Sequence, residues 1–113
     1  MRVSSIKLLD AATATGSGAS HLPRGPKATF QAFGVTSSGS GAATVDIEAS
    51  DDGEEVEDDD AHWVVLGTID FAFDDTSSDD DAGFAMDAAW RRTRANVTAI
   101  SGTAAAVTVL QGS

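Results

Sequence analysis

Residues 43–49 alternate with period two: Val45, Ile47 and Ala49 fall on one face, Thr44, Asp46 and Glu48 on the other. That period marks a strand with one side in a core and the other in water. The same alternation runs through residues 27–35, with Ala28, Phe30 and Ala32 opposite Thr29 and Gln31. It recurs late in residues 62–73, where Ile69, Phe71 and Phe73 oppose Thr68, Asp70 and Ala72, and in residues 104–110, where Ala105, Val107 and Val109 oppose Ala106, Thr108 and Leu110. At Gly67 the pattern set by Trp63 and Val65 changes phase, which predicts a β-bulge or sharp bend.

Residues 3–9, 84–88 and 90–100 also favour strands, and no stretch sustains a helical apolar stripe. Gly, Ser and Asp clusters separate the segments: small residues from Ala11 to Ser20, the Pro23 and Pro26 punctuation, a Ser-Gly turn at 37–41, acidic loops at 50–60 and 74–81, and a turn at Ser101-Gly102-Thr103. About eight short strands at this spacing predict an all-β chain, a single β-sandwich of jelly-roll or immunoglobulin-like type with acidic loops. Its buried face is expected at Val45, Ile47, Ile69, Phe71, Val107 and Val109. The expected organisation is one domain over 1–113.

Charge narrows the partners. Eighteen acidic residues against seven basic ones give a net charge of −11. Such a field repels phosphate backbones and anionic membrane surfaces, so neither nucleic acid nor membrane is an expected partner. The brief apolar stretch near Met1 is too short for a signal peptide, and no later run reaches the ~18 apolar residues of a bilayer span. A soluble chain with no export signal is the expectation. With no Cys, disulfides, thiolate metal sites and Cys nucleophiles are excluded.

Candidate chemistry is sparse. Carboxylates on a flexible loop suit Ca²⁺, and Gly53 placed at the invariant glycine of an EF-hand puts Glu48, Ser50 and Asp52 at the first ligand positions and Asp59 at the last. Glu48 belongs to a strand, however, and no helices flank the loop, so an extended, solvated acidic excursion is the expected state. His21 and His62 are the only histidines, too few for a closed metal site. No Gly-x-Ser-x-Gly elbow or comparable motif accompanies the many Ser and Asp residues. No enzyme, metal or cofactor is therefore expected, and the Asn96-Val97-Thr98 sequon within a strand is read as incidental. Trp63 and Trp90 read as anchors at the core or its edge. Arg91, Arg92 and Arg94 concentrate the basic charge in one strand. Either they pair with the Asp loops or stack on Trp90, or with Trp90 they form an interface.

Four segments, Phe30 to Gly34, Gly39 to Gly53, Trp63 to Ile69 and Trp90 to Thr103, together resemble small β-rich structural proteins of tailed bacteriophages. The resemblance spans residues 27–110. The acidic stretch between Gly53 and Trp63 departs from it, because the pattern leads to a tighter turn there. What it implies is a non-enzymatic protein on the virion's capsid surface, a decoration or cement module bound to the major capsid protein and assembled as a trimer or dimer, with residues 1–18 as an N-terminal arm ordered on assembly. Alternatives are another virion part, such as a head fibre base, head–tail adaptor or tail component, and a carbohydrate-binding or adhesion β-sandwich.

Overall fold

A computed structural model describes residues 5–22, 27–53, 55–78, 82–87 and 90–112. Among them it contains eight strands and no helix: β1 (Ser5–Ala12), β2 (Gly16–Ser17), β3 (Lys27–Val35), β4 (Ser38–Ser50), β5 (Val64–Phe73), β6 (Gly83–Asp87), β7 (Arg92–Thr103) and β8 (Ala106–Gly112). They form two four-stranded sheets, in the orders β1-β8-β3-β6 and β2-β7-β4-β5. Every pairing is antiparallel. First strand therefore lies beside last, second beside seventh, third beside sixth and fourth beside fifth.

The alternation seen in the sequence is what closes the core. Phe30, Ala32, Val107 and Val109 from the first sheet and Val45, Ile47, Ile69, Phe71 and Val97 from the second belong to one buried cluster. All six residues expected on the buried face are in it. At the phase change before Ile69, Ile47 pairs with Gly67 but Glu48 pairs with Val65, so Leu66 is the extra residue of a bulge. Gly67 suits this place because a Cβ there would lie 2.7 Å from the Phe84 ring.

Three local expectations change. The turn expected at Ser101-Gly102-Thr103 is one step later, since β7 continues to Thr103 and Ala104 reverses the chain at φ 50°. Gly102 lies within the strand at φ 118°, where a Cβ would stand 2.9 Å from Gly41 Cα, so the close approach of β4 requires glycine. Residues 5–12 of the expected arm pair along β8, and Gly16–Ser17 pairs with β7. Residues 1–4, Pro23 and Pro26, and residues 79–81 lie outside the described residues. The third change is the first acidic loop, which is not extended.

Candidate functional site

Arg92 opens β7 next to Ser50 of β4, and this register carries its side chain under the acidic loop. The side chain is 11% exposed and its Nη1 donates to Asp58 Oδ1 at 2.9 Å. Nη2 donates to the backbone carbonyls of Asp52, at 3.1 Å, and Gly53. Asp58 also accepts from the Ser20 backbone N–H at 3.0 Å and the Ser20 hydroxyl at 2.7 Å. A planar fork with several donors can satisfy a carboxylate and two carbonyls at once. One buried cation thus gathers a loop whose carboxylates alone would push it outward, and the loop folds back on the sheet. Turns at Val56 and Asp60, whose N–H groups donate to Gly53 and Glu57 carbonyls, complete it.

Arg94 forms a second, adjacent arrangement. Its Nε donates to Glu48 at 2.7 Å, with both side chains under 15% exposed. Its guanidinium carbon lies 4.0 Å from the Trp63 ring centroid. Trp63 is turned by its own indole N–H, which donates to the Asp58 carbonyl at 2.9 Å. Arg92 thus pairs with an Asp of the acidic loop, whereas Arg94 pairs with Glu48 of strand β4, and the stacked ring is Trp63 and not Trp90. Trp90 is half-buried just before β7. Arg91 is exposed, and its backbone N–H donates to Asp51 at 3.0 Å.

Ionisation follows these contacts. Burial raises the Asp58 carboxyl, but the Ser20 and Arg92 hydrogen bonds outweigh it and hold the group below its ordinary 3.8. Asp52 is lowered chiefly by the His62 backbone N–H, against some desolvation and with help from Ser50. In the second acidic loop Asp74 is lowered by the backbone N–H groups of Thr76 and Ser77, both 2.7 Å away. Each carboxylate is occupied separately. Among the described residues no three His, Cys, Asp or Glu side chains converge to hold a metal ion.

Between the loop and the segment before β3 lies an open cleft of about 540 Å³, lined by His21, Leu22, Val56, Asp58, Arg91 and Arg92 among others. The sequence does not single out Ser20 or Asp58. Nothing local distinguishes Asp58 from its acidic neighbours, because its role depends on a strand 34 residues away in the chain.

No protein-family model and no curated protein matches the chain. Its fold is similar to that of a prophage-derived protein. The crystal structure of SPBc2 prophage-derived protein YomS superposes with a TM-score of 0.55, covering 99% of this chain and 94% of that one, at 17% sequence identity. At that identity the likeness is one of fold.

Apolar side chains also reach the surface. Phe33 and Val35 on β3 are 39% and 50% exposed, and Val64 and Val65, where β5 begins as the last strand of its sheet among the described residues, are 46% and 53% exposed.

Proposed function

We propose that this chain is a non-enzymatic bacteriophage virion protein that decorates and cements the capsid by binding the major capsid protein. The observation that carries the reading is the near full-length likeness of fold to a protein of prophage origin. The strand pairing adds to it. First with last, second with seventh, third with sixth and fourth with fifth supports the jelly-roll reading of the sandwich, an eight-stranded architecture used by viral capsid domains. Lectins use it too, and here Arg94 lies over one face of Trp63, which leaves that face closed to a stacking sugar ring.

Cementing needs only a contact surface repeated over a lattice, where multivalency retains modules that bind weakly one at a time. Val64 and Val65 on the β5 edge supply apolar contact to the shell. The exposed carboxylates of Glu57, Asp59 and Asp60, held in place by Arg92, give the decorated particle a negative coat that opposes aggregation.

The test is quantitative mass spectrometry of purified particles of the phage encoding this chain, with uptake of the purified protein by expanded capsids. Copy number comparable to the major capsid protein and saturable uptake are expected. A few copies per particle would assign it to a head–tail or tail position instead. Absence from particles would overturn the virion reading.

A further inference from the structure

Among the described residues, β5 is the last strand of one sheet and β6 the last strand of the other. An open groove of about 430 Å³ runs between them, lined by Leu66, Ile69 and Asp70 from β5 and by Ala82 and Phe84 across from it. Ile69 and Ala82 belong to the core, and Leu66 and Phe84 pack against it half-buried. An edge strand thus borders an apolar trough that reaches down to the core.

The backbone of that edge has a readable polarity. Just past β5, the Asp74 N–H donates across the edge to the Ser77 carbonyl at 2.9 Å. Backbone groups of an antiparallel strand point alternately to its two sides, and the β4–β5 register is unbroken from Thr68 to Phe73. Thr68 and Asp70 therefore turn their N–H and C=O groups the same way as Asp74, away from β4. Among the described residues the single bridge from Phe73 to Ser78 is all that pairs on this side. Native edges are commonly blunted by Lys, Pro or a bulge. β5 has neither Lys nor Pro, and its bulge at Leu66 leaves residues 67–71 as a regular, open stretch.

We propose that the β5 edge takes an added strand: an extended segment of the shell protein with aliphatic side chains at alternate positions and a Lys or Arg between them. The proposal rests on the capsid reading and names the kind of segment that is bound. Outward N–H and C=O groups two residues apart are matched by an extended backbone, so hydrogen bonding selects the conformation. Period two then sends alternate side chains of the added strand into the trough beside Leu66, Ile69 and Phe84, and the others to the outer face. On that face Asp70 is exposed, Asp46 stands one residue pair along, and the Thr44 and Thr68 hydroxyls donate to them. No cation among the described residues pairs with either carboxylate, so a cationic neighbour on the added strand complements them. Charge also disfavours a second copy here. Two β5 edges paired about a two-fold axis would bring Asp70 of both chains onto one face, in molecules that each carry a net charge of −11.

Hydrogen exchange by mass spectrometry, on the full chain free and bound to expanded capsids, tests it. Amides of residues 67–71 should exchange slower by about tenfold or more once the chain is bound. Thr68→Pro removes an outward N–H, and Asp70→Lys reverses the charge beside the added strand. Each should weaken capsid uptake by about tenfold or more with the strand circular-dichroism signal retained, and the second stays readable if the first misfolds. Asp10→Lys makes the same change of net charge on the other sheet and should leave uptake unchanged. A wild-type chain that does not bind capsids at all would remove the capsid reading and this proposal with it. Binding without protection of 67–71, or uptake indifferent to both β5 variants, would overturn strand addition and leave the capsid reading standing. A dimer of the free chain that Thr68→Pro dissociates would give the edge to a second copy and overturn the proposal as well.

Discussion

Arg92 Nη1 and Asp58 Oδ1 lie 2.9 Å apart across 34 positions of sequence, and through that pair a buried strand holds a surface loop. Removing the guanidinium strands more than one acceptor. Asp58 keeps Ser20, but the half-buried Asp52 and Gly53 carbonyls lose their donor. Arg92→Ala should therefore cost about 2–4 kcal/mol. For a domain of this size that lowers the melting temperature by about 10 °C or more. Arg92→Lys keeps the charge without the planar fork and should fall between the two. Thermal melts followed by circular dichroism check the order, and an Arg92→Ala chain melting with the wild type would show that the loop needs no anchor.

The Asp58 carboxyl gives the acid side of the same pair. Its folded value lies below the ordinary 3.8, so the folded state favours the ionised form. That contribution is fully present above the unfolded value and is lost as pH falls through the folded one. Asp58→Asn removes it at every pH. The gap in unfolding free energy between wild type and Asp58→Asn should be constant from neutrality to about pH 5 and close below about pH 4. The other carboxylates are common to both chains and cancel in the difference. Urea titrations at a series of pH values measure it, and a gap that widens on acidification would contradict the assignment.

Gly34 faces Phe73 across the core. A Cβ at Gly34 would stand 2.7 Å from the Phe73 ring. That ring is buried and packs 5.5 Å from Phe71, centroid to centroid, so it cannot swing into solvent. Gly34→Ala should cost about 1–3 kcal/mol through overpacking. Phe73→Leu in the same chain should recover part of it, so that the double variant costs less than the sum of the two single ones. Additive costs would mean that the two positions relax independently.

The sheets were legible because period two is written into the strands themselves. Val45, Ile47, Ile69, Phe71, Val107 and Val109 are buried because any register that hides one of them hides its alternating neighbours. The Gly67 bulge was legible for the same reason, as a break in phase. The acidic loop was not, because repulsion between neighbours is a local property, whereas the Arg92 fork that overrides it arrives from β7. Arg94 illustrates the intermediate case: a buried cation in an acidic chain must find a carboxylate, but only the β4–β7 register selects Glu48 and only the loop's return brings Trp63. Phe33 and Val35 could have been found, since they sit at the polar phase of β3.

Trp63 reports on this second arrangement, and its environment yields the last prediction. The ring is fixed at two points, by Arg94 over its face and by the Asp58 carbonyl at its N–H. With Trp90→Phe as background, Trp63 is the only tryptophan left of two. Arg94→Met uncovers the face while keeping much of the side-chain volume, so emission should shift red and acrylamide quenching should rise. Stability should respond differently from fluorescence. Glu48 and Arg94 are 12% and 14% exposed, and removing one leaves the other charge poorly solvated, so Arg94→Met and Glu48→Gln should each destabilise by about 1–3 kcal/mol. The double variant removes both charges and should cost less than the sum of the two. Its Trp63 emission should nevertheless match that of Arg94→Met, because uncovering the ring depends on the cation and not on the pair. If instead emission follows stability across the three variants, the stack is a by-product of the salt bridge and contributes nothing of its own.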